Sequence, residues 1–182
     1  MGRGIRMSDG PHIGALVDRM EAMPAAVRAL LAGMGSEDAC RRPGSGVWSI
    51  VEIVNHLADE EHEDFRTRVR LTLEDPRAPW PGIDPETSAI ERGYQDRALD
   101  ESVDRFCTER SRSIAWLRSL ADPDWSTTHE HPSLGVMRAG DVMASWAAHD
   151  ALHLRQIAKR MYELTLRDTP GFSSAYAGEW GA

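Results

Sequence analysis

Apolar residues recur at helical spacing in four long stretches of this chain. Between residues 12 and 33 the stripe is Ile13, Leu16, Val17, Met20, Val27, Leu30 and Leu31, close to a 3.6-residue period. Pro24 falls inside it, and an internal proline costs a helix about 3 kcal/mol, so a kink or a fresh start at Pro24 is expected. The second helix is announced at Ser49. Glu52 three residues later completes a capping box, and Trp48 and Ile53 have the spacing of a hydrophobic staple. This helix continues through His56, Leu57, Glu60, Val69 and Leu73 until Asp75-Pro76 stops it. A third is predicted from Asp100 to about Leu120, with Val103, Phe106, Cys107, Ile114 and Leu117 on one stripe. The fourth runs from about Arg138 to Glu163, carrying Val142, Trp146, His149, His153, Gln156 and Ile157, and lacks an obvious N-cap.

The intervening segments are polar and rich in glycine or proline. Residues 35–48 and about 121–136 read as loops, and the connection over 74–99 contains Pro76, Pro79, Pro81 and Pro85. No alternating run bounded by hairpin turns occurs, so strands are expected to be absent or marginal. Four helices close most naturally into an all-α four-helix bundle over residues 12–162. The 74–99 connection can return along a whole helix of about 37 Å, which lets helices two and three run parallel. Residues 1–11 read as a flexible leader. Residues 163–182 read as a tail whose Phe172, Tyr176 and Trp180 drape over the bundle.

Charge narrows the partners. The 182 residues hold 21 Lys+Arg against 29 Asp+Glu, a net charge of −8. An acidic chain without a basic cluster lacks the counterion-releasing surface that nucleic-acid affinity requires, so nucleic acid is not expected as a partner. No apolar run is long enough to span a bilayer, so no membrane partner is expected either. With no apolar signal segment near the N-terminus and only two cysteines, a cytoplasmic location with two free thiols is expected.

The candidate chemistry lies in the histidines. His149 and His153 are four residues apart, one turn along the same face. His56 lies on the inward stripe of the second helix. Antiparallel packing of helices two and four would bring the three rings towards one level, where they could bind a divalent ion and leave positions open. On spacing alone, hydrogen-bonded core histidines remain the commoner reading of such positions. His12, His62, His129 and His131 read as surface or loop residues, and Cys107 as a small core filler.

Two stretches resemble signatures of the DinB/YfiT-like superfamily. The first is Val47-Trp48-Ser49-Ile50-Val51-Glu52 through Asn55-His56-Leu57-Ala58-Asp59-Glu60-Glu61. The second is Ser145-Trp146-Ala147-Ala148-His149-Asp150-Ala151-Leu152-His153-Leu154-Arg155-Gln156-Ile157. Phe106 to Arg110 and Asp122-Pro123-Asp124-Trp125 also match in order. The resemblance implies a four-helix bundle with a long crossover between helices two and three, often a homodimer, with His56, His149 and His153 as ligands of a divalent metal such as zinc or nickel. It also implies a small-molecule substrate. Characterised relatives include thiol S-transferases that use a low-molecular-weight thiol, a thiol-dependent isomerase and metal-dependent hydrolases. A metal-dependent thiol transferase or hydrolase is therefore the expected function, and a binding module with a structural metal the alternative.

Glu60 and Arg110 are the catalytic candidates. Glu60, one turn after His56, could accept a hydrogen bond from a ligand, act as a fourth ligand or serve as a general base. It could equally be a solvated carboxylate of the run Asp59-Glu60-Glu61. Arg110 interrupts the apolar stripe of helix three. It could hold an anionic substrate or a thiol cofactor's carboxylate, or pair with Asp59, Glu61 or Asp150. The resemblance also singles out Glu61 and Asp150 as acidic positions beside the ligand stripe.

Overall fold

A computed structural model describes residues 12–181, so the predicted leader lies outside the described residues. Helix α1 (Ile13–Leu31) is followed by a short helix α2 (Ser36–Ala39) inside the first predicted loop. The second bundle helix comprises α3 (Ile50–Asp59), a π-helical turn over Glu60–Phe65, and α4 (Arg66–Glu74). The crossover carries α5 (Pro85–Glu91), which the Asp84 carboxylate caps at the Thr87 amide, 3.1 Å away. Helices α6 (Leu99–Ser119) and α7 (Ala139–Asp168) complete the four-helix bundle.

Four expectations are corrected. Helix α1 runs through Pro24 without a break. The second helix contains a wide π turn, a feature that hydropathy spacing does not register. The predicted polar loop before the fourth helix holds an antiparallel hairpin, β1 (Thr128–His131) paired with β2 (Gly135–Arg138). The fourth helix extends to Asp168, past its expected end. Its start is organised by Asp141, whose carboxylate accepts the Arg138 backbone N–H at 2.9 Å. Gly140 suits this turn, since a Cβ there would stand a tight 3.2 Å from the Trp125 carbonyl oxygen.

Side-chain pairs give the helix directions. Between the second bundle helix and α6, Asn55 meets Ser102, Glu61 meets Arg110 and Arg66 meets Ser113, so the two run parallel. Against α7 the order reverses, with His56 near His149 and His153 and Phe65 on Trp146, so those helices are antiparallel. Helices α1 and α6 are also antiparallel, through Arg28–Asp104 and Arg118–Glu21. The crossover over 74–99 is what permits the parallel pair.

The core has two apolar levels. One gathers Val27, Ile50, Ile53, Leu57, Phe106 and Ile157, and the other Met20, Phe65, Val69, Ile114, Met143 and Trp146. Each fully buried side chain of this size contributes about 1.5–3 kcal/mol. Between these levels lie buried polar groups, including His56, Glu60, Glu61, Arg110 and Asp150. In the tail, Trp180 packs on Tyr162 with ring centroids 5.4 Å apart, whereas Phe172 and Tyr176 are exposed. Among the described residues, no helix is long and apolar enough to cross a membrane.

Candidate metal centre

Helix α3 is buried on every side, so each of its polar residues needs an internal partner. The Ser49–Glu52 capping box forms as predicted, and Arg42 adds an ion pair to the Glu52 carboxylate. Burial pushes the Glu52 carboxyl up, but the hydrogen bonds from Arg42 and Ser49 outweigh it and hold the group below its usual range. With its entry fixed in this way, α3 aims His56 at the two histidines of α7.

The three imidazoles meet. His56 Nε2 lies 3.3 Å from His149 Nε2, which lies 2.9 Å from His153 Nε2. An ion about 2.0–2.1 Å from each nitrogen would require separations of about 2.9–3.4 Å between them for octahedral or tetrahedral geometry. These two separations fit, and the ligand atoms of all three rings lie within 4.8 Å of one another. Gln156 Oε1, 2.8 Å away, accepts from His153 Nδ1, which therefore carries the proton and leaves the Nε2 lone pair facing the cluster. Burial, then the neighbouring His153, lowers the His56 pKa to about 3. Burial also lowers His149 to about 2, reinforced by His153, His56 and Arg110, and lowers His153 as well. Neutral imidazoles are the form that ligates. Trp48 and Phe65 wall the cluster, their ring centroids 4.9 Å from His56 and 5.0 Å from His149.

Glu60 is not a solvated carboxylate. It is buried, with Oε1 3.6 Å from His56 Nδ1, the ring nitrogen remote from the cluster. At that distance it flanks the ring without a hydrogen bond, on the side away from His56 Nε2. Burial, with the adjacent Asp64 carboxyl, pushes its pKa up to about 8. The whole acidic run is internal. Asp59 is paired by Arg92 and Arg105 and bonded by Tyr94, Glu61 by Arg110, and Asp64 by Arg68.

Arg110 is 1% exposed, with both terminal nitrogens engaged and its Nε buried without a partner. It donates twice to Asp150 at 2.6 Å, once to Glu61 at 2.7 Å and once to the Met20 carbonyl at 2.9 Å. Glu61 also accepts the Trp146 indole N–H at 2.8 Å. The guanidinium thus has no open face for a substrate, which corrects its candidacy as an anion holder. His129 is corrected too: it is buried, stacked on Trp80 at 4.3 Å, and its Nδ1 donates to the Pro76 carbonyl. Cys107 packs against the core and Cys40 is half-buried, both as free thiols. The sequence reading gave no role to Gln156, although it sits three residues beyond His153 on the same face.

The DinB superfamily model matches residues 19–157, most of the chain. The chain belongs to the DinB superfamily. A protein of Oceanobacillus iheyensis described as a "putative metal-dependent hydrolase" is 24% identical over 147 residues, covering 80% of this chain and 83% of its own. The structure of YfiT from Bacillus subtilis superposes with a TM-score of 0.76 at 16% identity, covering 90% of this chain and 94% of that one. YfiT is described as a "probable metal-dependent hydrolase with an unusual four-helix bundle topology". At that identity the likeness establishes the shared fold, the four-helix bundle.

Proposed function

We propose that this DinB-superfamily chain is a divalent-metal-dependent enzyme, a hydrolase or thiol S-transferase, with His56, His149 and His153 as the ligands. The observation that carries the reading is the convergence of three neutral imidazole nitrogens, two of them pinned at 2.9 Å, with Gln156 fixing the tautomer of His153. Among the described residues, these three form the donor group with metal-binding spacing. Three protein ligands leave coordination positions open, as catalytic sites do, whereas a structural site would be closed by a fourth.

A divalent ion held there supplies Lewis-acid polarisation, which makes water or a thiol nucleophilic near neutral pH. The chain does the positioning. Gln156 holds the proton on His153 Nδ1, and Glu60 flanks His56 Nδ1. Trp48 and Phe65 exclude bulk water from two sides, which strengthens electrostatic interactions at the ligands.

The class is tested with zinc- and nickel-loaded protein. It is assayed against ester and amide substrates, and against electrophiles supplied with a low-molecular-weight thiol. Metal-dependent turnover that disappears in a folded His149→Ala, His153→Ala variant supports the reading. A cobalt-loaded protein whose visible spectrum does not respond to added azide or thiol has a closed site, which would leave the ion as a structural staple.

A further inference from the structure

A cavity of about 620 Å³ opens along α7 beside the histidine cluster. We propose that it binds a small anionic organic molecule, with a carboxylate or phosphate on Arg155, Lys159 and Arg160 and an apolar part against Trp180. This molecule is the substrate or cosubstrate of the histidine centre, an inference that rests on the enzymatic reading above.

The cavity and the centre share one helix face. His149, His153, Gln156 and Arg160 follow at spacings of four, three and four residues, so they form a continuous stripe along α7. His153 and Gln156 belong to both places: they line the cavity, and Gln156 also orients the His153 ring. A ligand seated among the cations therefore shares a cavity wall with His153. The volume lies within the about 300–1,000 Å³ typical of small-molecule sites.

The wall has the chemistry of an anion site. The chain carries a net charge of −8, yet three cations line this one cavity. Glu163 only partly offsets them, 4.0 Å from Lys159 Nζ and 3.0 Å from Arg160 Nε. Arg160 donates to Glu163 through Nη2 at 3.3 Å, while its Nη1 is buried without a hydrogen-bond acceptor. Lys159 Nζ stands 5.3 Å from the Trp180 ring and 5.2 Å from that of Tyr162, which fixes Trp180 as an apolar wall. A carboxylate or phosphate would gain charge-assisted hydrogen bonds from the cations, and the indole would cover a neighbouring apolar group.

Lys159 is the one lysine in the sequence, so amine-directed chemistry reports on this cavity. The full chain is titrated calorimetrically with phenyl phosphate, benzoate and the uncharged control phenol. Acetylation of Lys159 by acetic anhydride is followed by peptide mapping in parallel. At least one anion is expected to bind at least tenfold more tightly than phenol and to slow acetylation of Lys159, and the tighter anion identifies the headgroup. A Lys159→Met, Arg155→Gln variant, shown by thermal unfolding to be folded, is expected to lose at least tenfold in that affinity with unchanged metal content. Anions that bind no better than phenol, or that bind the variant as well as the parent, overturn the proposal even where the metal is present. Variant-sensitive anion binding to a protein that takes up no metal supports the cavity and instead overturns the metal reading.

Discussion

Pro24 and Arg110 are complementary across the bundle. Proline has no N–H, so the Met20 carbonyl one turn earlier in α1 loses its helical donor, and Arg110 Nη1 of α6 fills that place at 2.9 Å. The same guanidinium holds Asp150, the neighbour of His149, and Glu61. Packing of α1, of the π turn and of the histidine helix thus converges on one buried cation.

Arg110→Met keeps the volume but takes the arginine donor from two buried carboxylates and a buried carbonyl, leaving Glu61 only the Trp146 indole N–H. Breaking a buried ion pair from one side costs about 3–5 kcal/mol, and urea unfolding should show a loss of that size. A loss below about 1 kcal/mol would mean that the cluster is not holding the helices together.

Pro24→Ala returns the missing N–H to α1. A proline in a helix interior is about 3 kcal/mol worse than alanine, but here the freed carbonyl is already satisfied by Arg110. Alanine also enlarges the conformational freedom of the unfolded chain. The expected result is a stabilisation clearly smaller than about 3 kcal/mol in urea unfolding. A destabilised variant would contradict this account of α1.

Gln156→Ala removes the acceptor that fixes His153. Loss of such an outer partner weakens metal affinity by about 10–100-fold without removing a ligand. Chelator competition on a variant with an unchanged unfolding midpoint measures this. Unaltered affinity would show that Gln156 does not position the ring.

Glu52 makes stability pH-dependent at the entry to α3. Its folded pKa lies below its unfolded value, so the carboxylate's contribution is present above the unfolded pKa of about 4.3 and is lost as pH falls through the folded value. Compared with Glu52→Gln, the parent should be more stable at pH 7, and the gap should narrow on acidification below about pH 4. Parallel stability curves would remove the cap from the account.

The helices, the capping box and the histidine spacing are local features, and the sequence makes them legible. Ser49 and Glu52 are three residues apart, and His149 and His153 four. What was hidden depends on partners far along the chain. The run Asp59-Glu60-Glu61 looks solvated until Arg92, Arg105 and Arg110 arrive from the crossover and α6. Pro24 looks like a break until Arg110 reaches the Met20 carbonyl. The π turn leaves no signature in hydropathy, and the hairpin pairs only four residues on each side of a polar turn. His129 looked like a loop residue because its partner Trp80 lies in the crossover.

Elemental analysis of the purified native chain tests the central claim most directly. About one equivalent of zinc, nickel or a neighbouring divalent metal is expected per chain, and a folded His149→Ala, His153→Ala variant should have lost it. A native preparation that is metal-free and takes up none, or a double variant that keeps the full equivalent, would contradict the three-histidine centre.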